Sequence, residues 1–523
     1  CSRWLILGAG NDEVIVKHLK ANENRFNITN VEKVGIEKVD TGVANSTATA
    51  DFTGSDVTHL YTSKFKDNLK VVNSSIKSVT VDKPALDESG NPVISSGPYG
   101  TTQFTNGYLE NINVENTIDP RNPVGEAIIN PTIPGLRSKV TAYVSADESE
   151  KVTVNIGKNV YAQKIAGDWV NSDRMHANEG IGIIAPRAKD ITVNFNSPGT
   201  LGNSHANTTG ISITNVALAD LSTTAGANQR DLSGAFDKLT INSKSNILSN
   251  VDATFLEKLK VFNINTDTNF EAIGDRKFEA IQQINASGLA SNNIKTGKVF
   301  FTDNVIGKGN GATGTADATQ SIGIKAEHLN SFKANKGIFT KGNINVNLND
   351  MQGQAEIANG INTASTDTMQ AHFDNWSNVT HNFQYGASTT EASVVTEGTF
   401  RVNANNINNL LIGNIIARDI EISAGNARGN VSLASSGGQY TTVSNPHANG
   451  VGKIGNDKTI NNTIDLSQVA GSYNVGELFG QNIKFKAGVF TTPTYFSDKI
   501  DGTLETDASK LYMYATTNTI KAN

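Results

Sequence analysis

A single cysteine, at position 1, is all the thiol this 523-residue chain holds, so no internal disulfide can staple its fold. Bulk is scarce as well: 37% of residues are hydrophobic and only 7% aromatic, with 3 tryptophans in the whole chain. That leaves too little volume for one thick core and favours many thin layers, each burying a few Ile and Val. Eleven prolines and scattered apolar residues exclude collagen-like or Pro-rich disorder. No Lys/Arg run stands out, and the net charge is −6, which removes the electrostatic footprint that nucleic-acid binding needs. The longest apolar stretches, such as Leu5–Ile6–Leu7 and Leu410–Leu411–Ile412, fall far short of a membrane-spanning helix.

What the chain has in excess is asparagine, 64 residues of it, with abundant Thr, Ser and Gly. Asn tolerates left-handed backbone angles, bonds to nearby backbone in turns, and can stack side chain on side chain between layers. The apolar residues alternate with polar ones in five-residue bursts: Val152-Thr153-Val154-Asn155-Ile156, Ile191-Thr192-Val193-Asn194-Phe195 and Ile344-Asn345-Val346-Asn347-Leu348. Ile211-Ser212-Ile213 and Ile420-Glu421-Ile422 follow the same pattern, and period two separated by Gly, Asn, Asp and Ser is the strand signal. The best helical candidates are short: Asp12 to Leu19, Phe270 to Ile281 and Ala326 to Phe332. A loose repeat of roughly 15 to 30 residues joins strand pairs such as Leu69–Asn73 with Ile76–Val81, and Leu239–Asn242 with Leu259–Asn265. The predicted class is all-β, a β-solenoid or β-helix-like body with stacked β-sandwich repeats and few short helices. Alternation alone leaves parallel coils and antiparallel sandwiches equally open.

Composition shifts suggest four regions. Residues 1–83 carry β-roll-like strand repeats. Residues 84–135 hold seven of the prolines and read as an excursion or connection. Residues 136–304 form a β-rich repeat domain, and 305–523 a β-rich C-terminal domain. The Gly-rich zone from Asn304 to Gln320 reads as loop-rich. It lacks the Lys-Ser/Thr of a phosphate-cradling loop.

The most informative motif is Gly8-Ala9-Gly10-Asn11-Asp12, with an echo at Gly452-Lys453-Ile454-Gly455-Asn456-Asp457. Glycines permit tight positive-φ turns, and an Asp plus an Asn oxygen suit a hard cation. Asn11, Asp12, Asn456 and Asp457 are therefore the candidate calcium ligands, against the plainer reading of Asn-Asp turns that bind nothing. Together with Val34-Gly35-Ile36-Glu37-Lys38-Val39 and Ala50-Asp51-Phe52-Thr53-Gly54, this turn resembles the repetitive parts of bacterial surface-layer (S-layer) and calcium-dependent β-roll (RTX-like) secreted proteins. The resemblance implies secretion, calcium-triggered folding and lateral two-dimensional assembly. Tandem Gly/Asp nonapeptides are absent, which limits the expected calcium to a few sites.

Enzyme signatures are poor. His372 and His381 flank Asp374 and Trp376, but two exposed polar side chains explain them more simply than a metal cluster. Carboxylate pairs such as Asp498 with Asp501, or Asp147 and Glu148 with Glu150, lack the basic and aromatic partners of a sugar cleft. Asn-x-Ser/Thr triplets at Asn45, Asn73, Asn207, Asn285, Asn378 and Asn430 are compatible with glycosylation of an exposed protein. Cys1 reads either as a lipid-carrying residue or as the first residue of a fragment. The leading expectation is a non-catalytic, self-assembling extracellular protein of the cell surface, an S-layer or filament subunit with calcium as its cofactor. Its partners would be copies of itself, with a cell-surface glycan or lipid anchor in addition. A surface adhesin or carbohydrate-binding protein is the alternative, and a β-helical polysaccharide-degrading enzyme the third.

Overall fold

The computed structural model describes residues 4–6, 10–20, 23–43, 46–64, 67–72, 75–84, 101–105, 108–115, 142–146, 148–157, 181–184, 187–195, 211–214, 237–243, 247–249, 258–272, 277–289, 293–301, 304–358, 393–434, 452–486, 499–506 and 519–521. Among these residues there is no helix, and every ladder is parallel except one two-residue hairpin. Parallel pairing of strands this close in sequence is the mark of a coiled chain, a β-solenoid. The three helical candidates are strand and turn instead: Glu13–Val16, Asn269–Ala272 with Lys277–Phe278, and Ile322–Glu327 with Ser331–Ala334. Their apolar residues that mimicked a helical period sit on separate strands, as Phe270 and Phe278 do. The chain divides into two compact units, 1–255 and 256–523.

In the first unit the described strands form two long ladders, with a short parallel pair of Trp4–Ile6 and Asn27–Thr29 besides. The first ladder runs through Glu23–Arg25, Thr47–Asp51, Asn68–Val72, Thr101–Thr105, Ala142–Ala146, Ile181–Ile184 and Ile211–Thr214. The second runs through Glu13–Val16, Lys33–Ile36, His59–Lys64, Ser78–Pro84, Asn111–Val114, Lys151–Ile156, Asp190–Phe195 and Lys238–Ser243. Alternation puts one apolar column inside: Val34, Leu60, Val79, Ile112, Val154, Val193 and Ile241 are in register and all buried. Burying each such side chain is worth about 1.5–3 kcal/mol. The proline-rich region 84–135 supplies strands to both ladders, Thr101–Thr105 and Asn111–Val114, so the stack continues through it.

Two edges of this unit differ. The passage from the first ladder to the second is short and plugged, with Val31, Val57, Ile76, Leu109 and Ala188 buried two residues before the strand they precede. Its backbone is itself laddered: Lys77 N–H donates to Thr58 O at 2.8 Å, and Glu110 N–H to Lys77 O at 2.8 Å. In the passage from the second ladder back to the first, residues 85–100, 116–141, 158–180 and 196–210 intervene in four consecutive coils. Residues 215–236 intervene between Ile211–Thr214 and Lys238–Ser243.

The second unit has three ladders per coil, and each carries an inward column. Phe262, Ile284, Ile324, Val346, Val402, Ile422, Ile464 and Phe485 line the first. Phe270, Val299, Phe332, Ala355, Leu410, Val431 and Tyr473 line the second. Phe278, Ile306, Ile338, Val394, Ile415, Ile454 and Leu478 line the third. All of them are buried. Short coils such as Phe262 to Ile284, a step of 22, alternate with long ones such as Val346 to Val402, a step of 56. This is why the sequence repeat looked irregular. The Asn304–Gln320 zone is mostly turn and loop, interrupted by strand Val305–Gly307 and the hairpin Gly309–Asn310 with Thr315–Ala316. The hairpin places Ala316 over an outward apolar stripe of Phe339 and Val395, with Val305 and Ile416 packed alongside. A domain boundary near 305 would fall inside a coil, between Lys298–Phe301 and Val305–Gly307.

Candidate functional site

On the outer face of the first unit's second ladder, the polar residue of each burst meets its counterpart one coil away. Asn113, Asn155, Asn194 and Asn242 are in register. The Nδ2 of each donates to the Oδ1 of the one before, at 2.9, 2.8 and 2.7 Å. The row continues through Thr80, whose hydroxyl lies 3.4 Å from Asn113 Nδ2 and 2.9 Å from His59 Nε2. An amide is well suited here, because it is donor and acceptor at once and can extend the row in both directions. Burial, and then the nearby Lys33 charge, lowers the His59 pKa against a weaker opposing effect of Glu13. Beside it Tyr61 donates to Asp82, and burial followed by that bond pushes the phenol upward.

The second unit repeats the device at a corner. His328 and Asn426 directly follow Ile322–Glu327 and Asp419–Gly425, while Asp350 and Asn406 lie within the long strands Ile344–Ile357 and Thr399–Ile412; the four adopt left-handed φ of 57°, 54°, 53° and 52° in that order. Asn, Asp and His are the non-glycine residues that enter this region most readily. Asp350 Oδ2 lies 2.7 Å from His328 Nδ1 and 3.2 Å from Lys295 Nζ, while Asn406 Nδ2 donates to Asp350 Oδ1 at 3.0 Å. Arg428 then donates to Asn406 Oδ1 at 2.8 Å. The His328 bond, and next the Lys295 contact, hold the Asp350 carboxyl below its ordinary range. At another corner, buried Thr459 donates to Ala417 O at 2.7 Å, and the repeated Thr340-Lys341-Gly342 and Thr396-Glu397-Gly398 bond in the same manner, to Gln320 O and Gly342 O. Each of these rows ties one coil to the next.

The four predicted calcium ligands fall as two pairs, Asn11 and Asp12 in the first unit and Asn456 and Asp457 in the second. The Asp12 N–H donates to Glu32 Oε2 at 2.8 Å. Asn456 closes its own turn: its Oδ1 accepts from Lys458 N–H at 3.0 Å, after Gly455 at φ 91°. Among the described residues no group of three or more His, Cys, Asp or Glu is placed to hold a metal. Glu148 is ion-paired with Arg187. His372, His381, Asp374, Trp376, Asp147 and Asp498 lie outside the described residues. Of the Asn-x-Ser/Thr sites, Asn285 donates to Asn263 at 2.8 Å within another outward pair, and Asn45, Asn73, Asn207 and Asn378 also lie outside. The left-handed corners escaped sequence reasoning. Their signal was a His, Asp or Asn directly after an alternating burst.

The two long passages of the second unit that follow Ala358 and Ala434 leave from one corner, and both alanines have φ 48°. These segments, 359–392 and 435–451, together with residues 85–100, 116–141, 158–180 and 196–210, hold Trp169, Trp376 and five of the eight histidines. No family model, curated protein or solved structure matches this chain.

Proposed function

We propose that this chain is a non-catalytic structural protein of the cell surface, a stiff solenoid that assembles with copies of itself into an array or filament outside the cell. One observation carries the reading: both faces of the ladders serve coil-to-coil cohesion. Aliphatic columns do so inside, and asparagine rows such as Asn113 to Asn242 do so outside. A mechanical element needs that rigidity, whereas an enzyme needs side chains free to converge on a substrate. In repeat proteins, insertions gathered on one edge are where contacts to other molecules are made. Calcium at the Asn11–Asp12 and Asn456–Asp457 turns would strengthen the assembly. An adhesin is the second reading, favoured by the tryptophan and histidine content of residues 158–180, 196–210, 359–392 and 435–451.

Electron microscopy of the purified chain, with calcium and with a chelator, tests this. Sheets, tubes or fibres are expected, lost when 359–392 and 435–451 are both replaced by a tight turn. Dispersed particles in every condition would overturn assembly, and binding of those particles to cell-surface glycan would establish the adhesin in its place.

A further inference from the structure

The second ladder of the second unit carries an ionic cluster on its outer face that takes no part in any row described above. Phe300, Lys333 and Glu356 stand in register on successive coils. Glu356 is 0% exposed and the Lys333 side chain 8%. Lys333 Nζ lies 2.9 Å from Glu356 Oε1 and 5.1 Å from the centre of the Phe300 ring. Asn335, two residues further along and also buried, donates through Nδ2 to the other carboxylate oxygen, Oε2, at 2.8 Å. Gln354 also donates to Oε1. One atom of this cluster is unsatisfied: Asn335 Oδ1 is buried with no hydrogen-bond partner. Taking a charged pair out of water is costly, and an orphaned buried carbonyl adds to the cost. Neither is explained by stability alone, because apolar residues of similar size would serve better.

The arrangement has the parts of a reaction. It holds an amine, a carboxamide, and a carboxyl that touches the nitrogen of each, all screened from water. We propose that Lys333 and Asn335 condense into an internal amide bond, with Glu356 as the proton carrier. Glu356 Oε1 takes a proton from Nζ, leaving a neutral amine and a carboxylic acid, and the amine attacks Asn335 Cγ. The Nζ–Cγ bond forms and the Cγ–Nδ2 bond breaks. Glu356 protonates the departing Nδ2, which leaves as ammonia, and takes up the remaining proton of the former ammonium. Amine plus carboxamide becomes secondary amide plus ammonia, with no oxidant or reductant, and Glu356 ends as the neutral carboxylic acid. The product removes the charge of Lys333 from the interior. The inference stands on this cluster alone and does not depend on the surface role proposed above.

Mass spectrometry of the intact, purified chain reads the bond directly, as a mass lower by one ammonia than the sequence requires. Trypsin should fail to cut after Lys333, releasing Ala326 to Lys336 as one peptide that is lighter by the same amount and gives no backbone fragments between Lys333 and Asn335. Glu356→Gln and Lys333→Arg should each restore the full mass. If Glu356→Gln does not fold, the wild-type measurement still decides. Full mass with free cleavage after Lys333 would overturn the proposal. So would an ammonia loss that leaves Lys333 cleavable, which would signify a succinimide at an asparagine instead.

Discussion

The two units build their columns from the same alternation, yet they fill them differently. The largest fully buried side chains of the described residues are all phenylalanines. Phe52 and Phe104 belong to the first unit, and Phe262, Phe270, Phe278, Phe301, Phe332, Phe400 and Phe485 to the second. The number of ladders explains the difference. Two facing ladders leave a thin slot that Val, Leu, Ile and Ala close, whereas three ladders enclose a wider interior that needs aromatic volume to reach close packing. At the start of the second unit this becomes a cluster: Phe301 lies 6.0 Å from Phe262, 5.4 Å from Phe278 and 6.2 Å from both Phe270 and Phe332. A chain that is 7% aromatic can therefore stay well packed by placing its few rings where the cross-section is largest.

Substitutions can break that comparison. The largest effect is expected at Phe301→Ala, at about 3–5 kcal/mol, because the neighbouring rings cannot collapse into the space. Ile112→Val in the thin slot of the first unit should cost about 0.5–1.5 kcal/mol. Denaturant titration of the two variants checks the ranking, and equal losses would mean that the slot and the wider interior pack alike. Next in size is Asn155→Ala, which removes two links of the outer row and should cost about 1 kcal/mol. The smallest effect is acidic. Because the His328 hydrogen bond lowers the Asp350 pKa, its contribution is complete above the ordinary carboxylate value and is lost as pH falls through the depressed one. Unfolding followed along an acid series should thus show a shallower loss for Asp350→Asn than for the wild type.

Much of the fold was legible beforehand. The bursts at Val152–Ile156, Ile191–Phe195, Ile344–Leu348 and Ile420–Ile422 are strands whose apolar members face the interior, as with Val154, Val193, Val346 and Ile422. Parallel direction was not legible, because a period of two records which face is buried and carries no information on the neighbour's direction. The asparagine excess pointed to stacking, and the rows at Asn113–Asn242 and Asn263–Asn285 bear that out. The candidate turn at Gly455–Asp457 was located correctly as a turn, but sequence could not show that Asn456 Oδ1 would be engaged by its own backbone. Nor could it show that Lys333, at an outward position of its strand, would be buried beside Glu356. That burial comes from residues far away in sequence, and nothing local to Ser331–Ala334 records it.

The most direct test of the coil-on-coil architecture uses the near absence of thiols. With Cys1 replaced by Ser, the pair Asn113→Cys and Asn155→Cys stands in register on adjacent coils about 4.8 Å apart, within reach of a disulfide. The pair Asn113→Cys and Asn194→Cys is two coils apart and out of reach. The account predicts rapid, complete cross-linking of the first pair under mild oxidation and none of the second. Cross-linking of neither pair in folded protein, or of both alike, would contradict the parallel stack on which the whole description rests.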